Sequence, residues 1–419
     1  MKTTWGLMMG LANTSRTPLT SAAVFLLTLL VSGQLYADTT LLLRGELVSQ
    51  DADTSFQQQG ISHQRFDDNE LQLSQAILST RLQLNSDWKL HGVFNVYSDG
   101  EKTVGVSQLF AQYRPLVRHT IKPEVKVGAF YPALSVENTD MAWLSPHFLS
   151  NSAINSWIGE ELRIGGVEAS LRQNGRQVRR SWSWKALAGL FKGNDTTGTL
   201  LSWRGFALHD RQSLFDDRVN FYPLPWIVND DELNAPAWTE PFREIDNRIG
   251  FYLGGHLAYQ RQSELRYYYY DNRANPIKVD PDRLYAWRTK FHSLSVRHRL
   301  SSKLTLFSQA LAGSTLMGED IVSNHFYSAY VAASYQLDNA VLSTRLDWYH
   351  VIDDDSTWRD PNRSIGQAMT LNYSRPLSEL LTLSAEWQLN KGQQANRVEA
   401  QYSESFSEHS AKLAITLRY

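Results

Sequence analysis

Histidine and aspartate stand side by side at His209-Asp210, serines are frequent, and carboxylates gather at Glu160-Glu161 and Asp353-Asp354-Asp355. A nucleophilic serine needs a base and an orienting acid held in one geometry, and the chain carries no G-x-S-x-G elbow, no Walker loop and no H-E-x-x-H. Residues 193–199 (GNDTTGT) offer a glycine-rich turn without the lysine a phosphate loop needs. A scattered Ser/His/Asp set meeting only in space stays open, as does a cation at the aspartate triplet rather than a solvated loop tip. The expectation is no enzyme, no cofactor and no resident metal. A second constellation is more promising. Residues 132–159 carry Glu137, Asp140, Trp143, His147 and Trp157, and no Lys or Arg occurs between Lys126 and Arg163. Cations recur elsewhere at alternating positions: Arg114, Lys126, Arg163, Arg172, Lys185, Arg248, Arg266, Arg288, Lys290 and Arg345. Glu124, Glu168, Asp347 and Glu386 share their phase but are fewer. Acids facing cations across a narrow wet gap set up a transverse field that orders water and passes small polar solutes. The alternative is that these charges solvate a lumen or pair locally. The aromatics would either stack on sugars or anchor the segment to a wall.

Such a gap needs elements that turn one face to water and the other to something apolar. Alternating segments supply them. In residues 88–96 (WKLHGVFNV), Trp88, Leu90, Gly92, Phe94 and Val96 share a face. Residues 381–390 set Leu381, Leu383, Ala385, Trp387 and Leu389 against Thr382, Ser384, Glu386, Gln388 and Asn390. Segments of about ten residues with this pattern, repeated along the chain, fit strands with a lipid-facing outside and a wet inside. Trp182, Trp184, Trp348, Tyr373 and Trp387 suit aromatic girdles at the two interfaces. Short turns alternate with long polar loops, the asymmetry of a membrane barrel. Counting every run gives about 17 strands, an odd total that would strand one terminus on the wrong side. Residues 198–211 do not hold period two, so 193–245 reads as one long outer loop, with a short helix or hairpin over 199–209. The expected fold is all-β: an antiparallel transmembrane barrel of about 16 strands, one domain over residues 38–419.

Both ends agree. Residues 411–419 (AKLAITLRY) end the chain inside an amphipathic strand on Tyr419. Near the start, residues 21–31 (SAAVFLLTLLV) have the length of a signal-peptide core, so residues 1–37 are expected to be a signal peptide cleaved after Ala37. No stretch reaches about 18 apolar residues, which excludes a helical span. The chain has no cysteine, excluding disulfides and thiolate metal sites. It holds 13 Trp, 19 Tyr and 17 Phe, yet mean hydropathy is −0.37, as when apolar residues are spread one in two. The 41 Lys+Arg nearly balance 43 Asp+Glu, which argues against nucleic acid as a partner.

The terminal strand resembles the assembly signal of Gram-negative outer-membrane proteins. In strand number, loop order and that strand, the chain resembles the 16-stranded diffusion porins. Residues 128–171, from GAFYPALSVENTDMAW into NSWIGEELRIGGVEASL, are also similar to porins of the phosphate-selective type and to uncharacterised porin-like relatives. The resemblance implies a third outer loop (132–159) folded into the barrel as a constriction, with Glu137, Asp140, Trp143, His147 and Trp157 at it and the ten cations as wall. It implies a water-filled channel for passive diffusion of small polar solutes or ions, or a sugar- or anion-selective one. It further implies contact with outer-membrane lipids and lipopolysaccharide, recognition by the barrel-assembly machinery, and a homotrimer. The chain departs from the phosphate-selective type in lacking any cation within 132–159.

Overall fold

The computed structural model describes residues 37–419 apart from 68, 70, 230–233 and 359. The expected signal peptide lies outside the described residues except for Ala37, which opens the first strand. Seven strands come first: β1 (Ala37–Asp51), β2 (Leu71–Gln83), β3 (Trp88–Val96), β4 (Val104–Tyr113), β5 (Ile121–Phe130), β6 (Ile164–Gln173) and β7 (Trp182–Lys192). A two-residue pair follows, β8 (Val219–Asn220) with β9 (Trp238–Thr239). Nine more complete the chain: β10 (Gly250–Tyr259), β11 (Ser263–Asp271), β12 (Arg288–Arg299), β13 (Leu304–Met317), β14 (Val322–Gln336), β15 (Val341–Asp353), β16 (Ser364–Pro376), β17 (Leu381–Gln394) and β18 (Ser405–Arg418).

All but β8 and β9 form one closed barrel of 16 antiparallel strands, each paired with its chain neighbour. The last strand closes on the first in the register Leu42↔Arg418 and Leu47↔Leu413. Leu41 and Tyr419 exchange backbone hydrogen bonds of 2.8 and 2.9 Å, so the terminal aromatic residue seals the sheet. Closure leaves no backbone donor or acceptor at a free edge, which is what hydrocarbon requires. No described helix is long and apolar enough to cross a membrane. Short turns lie at one end of the barrel. The long connections 131–163 and 193–249 lie at the other, and the second holds the odd run that broke the strand count.

Side chains alternate as a barrel demands. On β15, Leu346 and Trp348 are 39% and 45% exposed outside, whereas Arg345 and Asp347 are 0% and 1% exposed inside. Outward aromatics include Trp182, Trp348, Tyr373 and Trp387. Toward the loop end, however, the inner face turns apolar, with Phe291, Phe326 and Tyr349 buried in it. They pack against the two long connections, which form a core inside the barrel.

Candidate functional site

Residues 131–163 leave β5 and descend along the inner wall. The backbone N–H groups of Leu149 and Ser150 donate to the Glu386 carboxylate (2.7 and 3.0 Å), and that of Ala153 to Asp347 (3.1 Å). Arg345 binds this segment from below. Its guanidinium donates to Glu137 (2.6 Å), to the carbonyls of Ser150 (3.0 Å) and Asn151 (2.9 Å), and to Asp347 (2.8 Å). Glu137 also accepts from Asn155 Nδ2 (2.6 Å). A buried charge is tolerable only when paired and fully hydrogen-bonded, and this one is. The helix α1 (Ala153–Glu161) follows, with the Ser152 hydroxyl accepting from the Asn155 N–H at its start, and all nine of its residues are buried. Trp157 sits edge-on to Phe206, Phe291 and Phe326.

The segment after β7 packs over α1. Its short helix Thr199–Trp203 begins after Gly198, whose φ of +110° and closeness to the Thr315 hydroxyl leave no room for a Cβ. Arg204 clasps Glu160 with both terminal nitrogens (3.1 and 2.6 Å), and His209 Nε2 lies 3.0 Å from the same carboxylate. Burial alone would raise Glu160, but Arg204 and His209 outweigh it and hold its carboxyl at about 2. Glu161 has no cation beside it. Burial pushes it up to about 7, against hydrogen bonds from Gly198, Leu200 and Trp157. Farther on, Asp210 pairs with Arg65 (2.7 Å), which also holds Asp99 (2.6 Å). Together these segments cover the inner wall of the loop-end half, so that Glu46, Asn95, Phe291 and Asn324 are all fully buried.

The turn-end half is open. A cavity of about 400 Å³ lies between residues 138–143 and the wall of β2–β4 and β11, lined by Arg81, His91, Phe110, Tyr131, Asp140, Trp143 and Arg266. Two stacked pairs face it, Tyr131 on Trp143 (5.0 Å) and His91 on Phe110 (4.5 Å). Ala142 and Trp143 both have positive φ (54° and 62°), a conformation rare for residues with side chains and held here by the docked loop. Asp140 reaches Arg418 at the rim. Beyond the cavity, Glu168 bridges Lys126 and Lys185 (3.4 Å each), and Arg114 clasps Glu124 (2.6 Å).

No protein-family model and no curated protein matches this sequence. Solved structures do match in shape. The outer membrane channel DcaP of Acinetobacter baumannii superposes with a TM-score of 0.55 at 11% identity, covering 93% of this chain and 98% of that one. OmpF of Salmonella typhi, in complex with daunomycin, gives 0.54 at 12%, covering 91% and 97%. OmpT of Vibrio cholerae, an outer membrane protein in its trimer form, gives 0.53 at 9%, covering 92% and 99%. The fold is that of the 16-stranded outer-membrane porins.

On this porin fold the expected site residues separate. Asp140 and Trp143 line the cavity, and Arg114, Lys126, Arg172, Lys185 and Arg266 are on the inner face of the turn-end half. Eight expected residues are corrected, in four pairs. Glu137 and Arg345 face each other as a buried pair under the loop, because the loop docks on the wall that carries Arg345. Trp157 belongs to the internal core, and His147 stacks on Phe307 (4.8 Å), wedging the loop against β13. Arg288 and Lys290 point outward, since Thr289 and Phe291 take the inner face of β12. Arg248 precedes β10 and is exposed, while Arg163 is buried between the rings of Phe215 (4.0 Å) and Phe242 (3.8 Å). The cavity's Arg81, His91, Phe110 and Tyr131 went unmarked. Alternation could have found the first three as inward positions, but nothing local signals that the loop leaves their side of the lumen open.

Proposed function

We infer that the chain is an outer-membrane channel of a Gram-negative bacterium for passive diffusion of small polar solutes, with anions favoured. The observation that carries this reading is a closed barrel, apolar outside, whose open inner half sets Arg81, Arg114, Lys126, Lys185 and Arg266 against the fewer wall acids Glu124, Glu168 and Glu264. Only Asp140 represents the docked loop's acids in that space, and Arg418 pairs it. The field across the lumen therefore comes from the wall rather than from an acidic loop facing it. Residues 193–217 pack inside the loop-end half, so the reading requires that they leave it for solute to pass. A homotrimer is part of the proposal, as OmpT of Vibrio cholerae is described in a trimer form. So are contact with lipopolysaccharide and recognition of the terminal strand by the assembly machinery.

A hydrolase reading is disfavoured by one geometry. Ser156 and His209 do meet, but through the His209 backbone: the Ser156 hydroxyl donates to its carbonyl (2.9 Å) and accepts from its N–H (3.0 Å). The imidazole faces Glu160 instead, so no base activates the serine. The channel is tested in planar bilayers under a potassium chloride gradient, with the full chain and with residues 199–211 deleted. Larger conductance on deletion and a reversal potential favouring chloride are expected; no conductance from either protein would refute the channel.

A further inference from the structure

At the loop end, a small cavity of about 40 Å³ lies between residues 199–203, the β8–β9 pair and the connections 272–287 and 354–363. Five aromatic residues border it: Trp203, Phe221, Trp238, Tyr285 and Trp287. The apolar clusters around Phe221 and around Trp287 stay separate, and the cavity touches both. Protein interiors ordinarily pack without such gaps. A water needs roughly 10–15 Å³ on this measure, so the space takes a compact group several times that size. Trp238 and Tyr285 are only half-buried, which leaves a way in from the loop-end surface.

One acid enters this aromatic lining. Asp360 is 7% exposed, and its carboxylate accepts from Asn362 Nδ2 (2.9 Å). No cation among the described residues lies within ion-pair distance of it. Burial pushes its carboxyl up to about 7; Asn362 offsets part of that, and Asp355 and Asp353 oppose its ionisation further. The other polar groups of the lining are occupied. Ser202 donates to the Gly198 carbonyl (3.2 Å) and accepts from Asn324 (2.9 Å), and Thr199 donates to the Thr196 carbonyl (2.6 Å). Arg283, the one cation bordering the cavity among the described residues, donates to the Tyr285 hydroxyl (3.0 Å). Nor do Asp353 and Asp355 turn to the space, because they accept from the backbone N–H groups of Asn362, Ser323 and Thr357. A buried carboxylate is stable only beside a counter-charge, and aromatic rings attract cations that shed their water. Arg218 already lies over the Trp238 ring (4.1 Å), so this lining takes cations.

We propose that this cavity binds the head of a small organic ammonium compound, methylated amines being the type, with Asp360 as counter-charge and the aromatic residues as walls. A methylated nitrogen spreads its charge over an apolar surface, so it suits rings and carboxylate together. Calcium needs about six oxygens and finds too few here. The site shares no residue with the turn-end cavity and stands independently of the channel reading.

The test is calorimetric titration of the full chain, folded in a non-ionic detergent, with tetramethylammonium chloride and with tert-butanol, an uncharged molecule of similar shape. Tetramethylammonium is expected to bind about tenfold or more above tert-butanol. It keeps its charge at every pH, so any pH dependence belongs to the protein. Its affinity should rise about tenfold between pH 6 and pH 8, as Asp360 ionises. Asp360→Asn should weaken binding about tenfold at pH 8 and abolish that rise. Trp238→Leu should weaken it about fivefold, the loss of one ring. Asp354→Asn, exposed beside His325, should change nothing. Heat-modifiable migration verifies that each variant is folded. No binding, equal binding of the two compounds, or wild-type affinity and pH response in Asp360→Asn overturns the proposal.

Discussion

Single side chains decide whether the loop inside this barrel is a selectivity filter or a fixture. Glu137, which reads in sequence as an eyelet acid, is fully buried against Arg345. Glu137→Gln should therefore leave ion selectivity unchanged while loosening the loop by about 1–3 kcal/mol, the cost of one charged hydrogen bond while Asp347 still pairs Arg345. Increased proteolytic cutting within residues 131–163 would register that loosening. Asp140→Asn should behave oppositely, strengthening chloride preference in reversal-potential measurements with the loop intact. The neighbouring acids on α1 pull in opposite directions with pH. Glu161 is raised to about 7, so the seated segment holds its proton more tightly than the released one does. That contribution is full below about 4.5 and is lost as pH rises through about 7, roughly 3 kcal/mol in all. Glu160, held at about 2, contributes above about 4.5 and loses its contribution as pH falls toward 2. Single-channel recordings should show least opening near pH 5 and more at pH 8, and Glu161→Gln should flatten the rise between them.

At the scale of the strand, period-two alternation was legible wherever both environments matched the rule of apolar outside and polar inside. On β17, Ala385 faces outward between Leu383 and Trp387, opposite Glu386 and Gln388 inside. Ala385→Arg should destabilise the barrel by about 2–4 kcal/mol if that position is near the bilayer midplane, seen as loss of heat-modifiable migration at a lower temperature. Strand β12 misled for a physical reason. Its loop end lines a packed internal core, so Phe291 turns inward and Lys290 and His292 turn outward. There a polar residue outside costs little, because that end of the strand lies toward the headgroups. Alternation in such a strand has the same period and the opposite meaning.

For the whole molecule, the outer half of the lumen is a small protein core held by loops from distant parts of the chain. Ser202 on the 193–249 connection accepts from Asn324 on β14 (2.9 Å), and the chain has no cysteine of its own. The double variant Ser202→Cys, Asn324→Cys, once oxidised, should hold the segment seated and keep conductance low; reduction should restore wild-type opening. Equal conductance in both redox states would show that the segment does not obstruct the path.

Sequence alone determined the barrel, its 16 strands, the long connection after β7 and the closing role of Tyr419, because each follows from local periodicity and from parity. Only the tertiary structure decided that two connections fill the outer half of the lumen and that the loop docks on the Arg345 side. Glu137 and Arg345 are 208 positions apart, and Leu149 and Glu386 are 237 apart. Pairings of that kind carry no local period; they arise when the sheet closes and its interior has to be filled.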